Sequence, residues 1–162
     1  MTPGIIFTSF DDDFNRLLLL NLLWTLTWVG GSIVYRRVYG KPVLFFGVPD
    51  AVFQERVASG YSTRNLLTRM GGAHNALVVA VTRDRLVIRP YFPFTLLFLP
   101  EIYGLDYEVP LHNVIGTKEK KVLLWTSVSV EFHNADNEVR EVVLRLRNPK
   151  DFLAALNLPA QR

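Results

Sequence analysis

Nineteen consecutive residues, Leu17 to Tyr35, carry no charge. A helix rises about 1.5 Å per residue, so this run would span roughly 28 Å, the thickness of a bilayer's hydrocarbon core. A surface helix of a water-soluble domain keeps one face polar. Here Leu17, Leu18, Leu19, Leu20, Leu22, Leu23 and Leu26 cover the whole circumference, with Trp24 and Trp28 adding bulk. Tyr35 closes the run where an interfacial aromatic belongs. The run is therefore read as an uncleaved, single-pass transmembrane helix over 17–35. An acidic N-terminus without an A-x-A site argues against a cleaved signal peptide. The rival reading is a hydrophobic helix buried against the domain that follows. Asn21 speaks for that rival, because a polar group at membrane depth needs a partner.

The flanks give an orientation. Asp11, Asp12 and Asp13 precede the run, in a short acidic tail over 1–16, and only Arg16 adjoins it. Arg36, Arg37 and Lys41 follow. Lys and Arg favour the cytoplasmic side, so the N-terminus is expected outside and the rest inside, at the cell (inner) membrane. The same three cations could also touch anionic headgroups, as could Arg64 and Arg69 further on, although an orientation signal is the simpler role for the first three. Within the helix, Gly30, Gly31 and Ser32 would permit close packing on another helix, with Asn21 and Thr25 hydrogen bonding across. A protein partner or a homo-oligomer through this helix is thus open, but no strict G-x-x-x-G occurs, and small residues simply tolerated in lipid is the favoured reading.

Length bounds the remainder. The chain has 162 residues, room for one domain beside the anchor. It has no cysteine, which excludes a disulfide framework and thiolate chemistry. Its formal charge of +3 is small for a nucleic-acid binder, and no nucleic-acid role is expected.

After a connector over 36–50, short strands replace helical bulk. Val43–Val48 is uniformly apolar and reads as either a strand or buried coil. Ala51–Ser59 reads as a strand. Gly60–Gly72 is a polar connection with a helical turn near Leu66 and Leu67. Asn75–Thr82 and Arg85–Arg89, joined by Arg83-Asp84, form a tight antiparallel hairpin that Pro90 ends. Residues 106–111 and His112–Lys120 follow as strands. Ser127–His133 alternates, with Val128, Val130 and Phe132 on one face and Ser129 and Glu131 on the other. Asn134–Asn137 turns the chain into Glu138–Arg147, where Val142, Leu144 and Leu146 share a face. A short helix closes the chain, with Asn148 as N-cap, Pro149 at the first position and Pro159 as its stop. Phe152, Leu153 and Leu156 form its apolar stripe.

Seven strands and then one amphipathic helix resemble a pleckstrin-homology-like barrel. Ala76–Ile88 resembles the second and third strands of GRAM and bacterial PH-like domains. Tyr107–Ile115 is similar to their step into the next strand, and Asn148–Leu156 to their closing helix. The resemblance covers about residues 51–158, and the compact plan without eukaryotic targeting extensions suggests a bacterial source. The resemblance implies an α+β, mainly β fold: a transmembrane helix, then a seven-stranded antiparallel barrel capped by a C-terminal helix. It also implies binding of lipid headgroups, peptides or protein partners, often as a scaffold. The lipid-binding members carry a dense basic cluster in the connection that here is Gly60–Gly72. This chain has only Arg64 and Arg69 there, which weighs against phosphoinositide binding.

Tyr91–Leu105 is almost wholly apolar and broken by Pro93 and Pro100. Such a stretch should not sit in water. It could pack on its own domain, dip into the bilayer interface or bind a partner, with Phe92, Phe94, Leu97 and Phe98 as the contact residues. Self-packing is the favoured placement. The Lys118–Lys121 run reads as a charged strand edge. His74, His112 and His133 lack any metal-ligand spacing, and no phosphate-binding loop or nucleophile motif occurs. No metal, cofactor or catalytic residue is expected. The function expected is a non-catalytic binding or scaffolding module tethered at the cytoplasmic membrane face. The alternatives are an accessory subunit or assembly factor of a membrane complex, and a small-ligand barrel or enzyme whose pocket would involve His112 or Tyr107.

Overall fold

The computed structural model describes residues 5–97, 103–122 and 125–157. The chain divides into two compact units, Met1–Pro42 and Val43–Arg162.

The first unit is a helix, α1 (Ile5–Val38), of 34 residues. It begins inside the expected acidic tail and runs three residues past Tyr35. Its end has a local cause. Gly40 adopts φ +63°, Gly40 N donates to Arg37 O (3.3 Å) and Lys41 N donates to Arg36 O (2.8 Å). These are the paired bonds of a Schellman cap with glycine at the left-handed position, and Pro42 follows as a stop. Arg36 and Arg37 lie in the last turn, where the helix dipole favours cations.

The second unit is a seven-stranded antiparallel sheet with a helix packed on it. The strands are β1 (Phe53–Ser62), β2 (Ala73–Val81), β3 (Arg85–Pro90), β4 (Tyr107–Pro110), β5 (Val114–Val122), β6 (Trp125–His133) and β7 (Val139–Arg145). A five-residue helix, α2 (Leu66–Met70), lies between β1 and β2, and α3 (Pro149–Leu156) closes the chain. The order across the sheet is β4-β3-β2-β1-β7-β6-β5. Its two outer strands do not pair with each other, so the sheet is open where a closed barrel was expected. The reason lies at the β4–β5 step. β4 is only four residues long and passes through a 3-10 turn, Leu111–Asn113, straight into β5, with no hairpin between them.

β1 serves both halves of the sheet by changing partner. Phe53–Arg56 and Ala58 pair with β2, and Ser59–Ser62 pair with β7. Val57 is the extra residue of a bulge at this change and has φ 67°. Gly60 pairs with both Ala73 and Leu144. A Cβ there would come within 2.9 Å of Val143 O, so only glycine allows both ladders to approach.

The core explains the hydrophobic pattern. Leu77, Val79 and Val81 of β2 face the main core with Val128, Val130, Phe132, Val142 and Leu144. Val78 and Ala80 face the other way, into a smaller cluster with Phe45 and Val87. Both faces of β2 are therefore covered over Ala76–Val81, which matches the unbroken apolar run there. Residues 43–48, left open as strand or coil, are coil laid over that second face. Phe152 and Ala155 of α3 close the main core, and the Phe152 ring meets Phe53 edge-on at 5.5 Å.

The β2–β3 turn is held by its own side chains. Thr82 N donates to Arg85 O (2.9 Å), and the Thr82 hydroxyl donates to the Asp84 carboxylate (2.6 Å). That hydroxyl, with the Arg85 charge adding to it, holds the Asp84 carboxyl below its ordinary 3.8. A lowered folded value stabilises the turn above pH 3.8, and the contribution fades as pH falls through the lower folded value. Thr82→Val is expected to move the Asp84 carboxyl back up toward 3.8, read by an NMR titration of its side chain.

Candidate functional site

α1 is the feature that most restricts function. Within it, Asp13–Val38 is a stretch of 26 residues long and apolar enough to cross a membrane, and only 6% of its most apolar window is buried. It is the one such helix among the described residues. Leu17 to Leu20, Leu22, Leu23, Trp24 and Leu26 are all more than half exposed, with Trp24 at 70%. The buried-helix alternative required these side chains to be covered.

Asn21, Thr25 and Thr27 bond the helix's own backbone, whereas the buried Ser32 Oγ has no hydrogen-bond partner among the described residues. Asn21 Nδ2 donates to Leu17 O (2.9 Å), Thr25 Oγ1 to Asn21 O (2.8 Å) and Thr27 Oγ1 to Leu23 O (2.8 Å). This removes the objection that Asn21 raised, because a side chain bonded to its own helix needs no outside partner in hydrocarbon. A Cβ at Gly30 or Gly31 would meet nothing within 4 Å, and Ser32 is buried.

The basic flank is compact. Arg36 is buried, and its Nη1 donates to Pro42 O (3.3 Å), while Arg37 is exposed. Lys41 Nζ stands 5.9 Å from the centre of the Tyr35 ring. Arg64 and Arg69 both lie on the β1–β2 connection and are exposed, Arg69 within α2.

The 91–105 stretch divides between packing and display. Thr95 is buried and its hydroxyl donates to Val43 O (2.9 Å). Phe94 is half-buried, meets Tyr91 edge-on at 5.2 Å, and lines a small apolar cleft of about 120 Å³ with His74, Leu77, Tyr103 and Leu105. Phe92 is half-buried beside Phe46, with ring centres 6.0 Å apart. The side chain of Leu97 and all of Phe98 lie outside the described residues. Leu105 is 1% exposed in the main core.

Sequence reasoning missed two features here. Leu44 and Phe46 are 60% and 56% exposed, although they stand in a run read as strand or buried coil. The signal available was parity, since in extended chain the neighbours of a buried Phe45 must point away from the core. The other feature is Glu55, buried on the core side of β1. Its Oε1 accepts from Arg147 N (2.8 Å) and its Oε2 from Asn148 N (3.1 Å). The Asn148 side chain makes no cap bond, contrary to expectation, and the carboxylate from β1 caps the entry to α3 instead. Glu55→Ala leaves those two N–H groups without their acceptor and should cost about 2–3 kcal/mol, with Glu55→Gln costing about half as much because one acceptor oxygen survives. The denaturant midpoints of the two variants measure the difference.

Among the described residues no three His, Asp or Glu side chains gather as a metal site. His74 and His112 are exposed, and His133 Nδ1 lies 3.3 Å from Asn137 O at its turn. Tyr107 is half-buried and packs edge-on against the core residue Phe132 at 5.0 Å. Arg89 bonds Asp106 and Glu108 (2.9 Å each), and Arg85 also pairs with Glu108, which ties β4 to β3. No protein-family model and no curated protein sequence matches this chain.

Proposed function

We propose that this chain is a non-catalytic, membrane-tethered binding or scaffolding module, with α1 crossing the cell (inner) membrane once and a PH/GRAM-like domain on the cytoplasmic side. The observation that carries the reading is the exposed, uncharged surface of α1 around its whole circumference from Leu17 to Trp28, with Asn21, Thr25 and Thr27 bonded to its own backbone. In water that surface would be an aggregation site, whereas in lipid it is at home. The basic residues after the helix support the inward placement of the sheet unit. Seven antiparallel strands followed by one helix on the core face support the PH-like reading.

The mechanism is effective concentration. A domain fixed to a surface meets its membrane-bound partners without a three-dimensional search, so a weak contact suffices. Alkaline carbonate extraction of membranes holding the full chain tests the anchor. The protein is expected in the pellet, and its release into the supernatant would overturn the reading.

A further inference from the structure

We propose that Leu44 and Phe46 enter the headgroup–acyl boundary of the bilayer that α1 crosses, as a second and shallower point of attachment. The proposal rests on the reading of α1 as an anchor and adds the lipid-contacting residues of the sheet unit.

Exposure of these two side chains is imposed by how the segment is fixed. Phe45 is 8% exposed and packs with Val78, Ala80 and Val87 on the second face of the sheet. The Arg89 guanidinium stands 5.7 Å from the centre of its ring. The backbone on either side is pinned, because Phe92 N donates to Phe45 O (3.0 Å) and Thr95 Oγ1 to Val43 O (2.9 Å). With Phe45 turned inward and the chain held, Leu44 and Phe46 must point outward. Phe46 is flanked by the Phe92 ring, which widens the apolar patch.

Two facts choose lipid over a protein as the occupant. Leu44 follows Val38, the last residue of α1, by six positions, and the covalent chain alone limits that separation to about 20 Å. The sequence between the spanning run and the patch carries the exposed Arg37 and the half-exposed Lys41, cations suited to the anionic headgroup layer. Apolar and aromatic side chains just beyond such a basic collar match the composition of an interfacial contact.

The chain has no cysteine, so single-cysteine variants carry one nitroxide label each. Leu23→Cys, Leu44→Cys, Phe46→Cys and Lys150→Cys are made in the full chain and reconstituted into vesicles of phosphatidylcholine and phosphatidylglycerol. Collision of each label with oxygen, which concentrates in lipid, is compared with collision with a water-soluble nickel chelate. Labels at 44 and 46 are expected to favour oxygen, as at 23, and the label at 150 to favour nickel. The native pair is expected to partition to lipid by at least about a hundredfold, at least about tenfold for each side chain. Labels at 44 and 46 that behave like 150, with 23 in lipid, would refute the contact and leave the anchor standing. Labels at 44 and 46 shielded from both reagents would point to a protein occupant and equally refute it. A label at 23 open to nickel would remove the anchor itself.

Discussion

Leu23→Lys combined with Leu26→Lys is expected to move the full chain from the membrane pellet to the soluble or aggregated fraction. Both positions lie near the middle of the 26-residue apolar stretch, and both side chains are more than 60% exposed. A lysine at the centre of a spanning helix costs about 2.5–3.5 kcal/mol on the insertion scale, so the pair costs about 5–7 kcal/mol. Snorkelling relieves this cost near a helix end but little at its centre. The sheet unit is not altered, and its strands should retain their far-ultraviolet signature. A helix that lay in water would respond in the opposite sense, with the two lysines raising solubility. Asn21→Leu serves as the control. Its amide bonds only Leu17 O on the same helix, so its removal should leave integration intact.

The second large effect is in the core. Phe152→Ala should destabilise the sheet unit by about 3–5 kcal/mol. Phe152 is fully buried and its ring meets Phe53 edge-on at 5.5 Å. α3 has only eight residues and would not persist in isolation, so its apolar stripe is what holds it. Removing the ring opens a cavity and loosens the helix at once. Phe152→Leu, which keeps most of the volume, should cost less than half as much. Denaturant titration of the two variants, with unchanged slopes, measures the ordering.

Much of this architecture is legible in the residues because local rules decide it. The β2–β3 hairpin follows from two apolar runs around Arg83-Asp84, and β6 and β7 follow from strict alternation at Val128–Phe132 and Val142–Leu146. Asn134 makes the turn between them, its Oδ1 accepting from Asp136 N and Glu138 N. What escaped depends on contacts distant in sequence. Glu55 reads as an ordinary polar strand residue until β7 brings Arg147 and Asn148 onto its carboxylate from 92 and 93 positions away. The change of partner along β1 needs Gly60 between two ladders, which no local pattern announces. The extension of α1 to Val38 depended on Gly40 taking a left-handed conformation, although glycine followed by Lys-Pro was a visible hint. The candidate contact residues divided in the same way. The apolar character of 91–105 was plain, but its hydroxyl bond to Val43 turned part of it inward and left Leu44 and Phe46 as the displayed side chains.

The most direct measurement is the sidedness of two single cysteines in sealed membranes. Asp13→Cys and Lys150→Cys, each in the full chain, are exposed to a membrane-impermeant maleimide in right-side-out and in inverted vesicles. Asp13→Cys should react only in right-side-out vesicles and Lys150→Cys only in inverted ones, as one crossing between them requires. Reaction of both cysteines in the same vesicle orientation would mean that α1 does not cross.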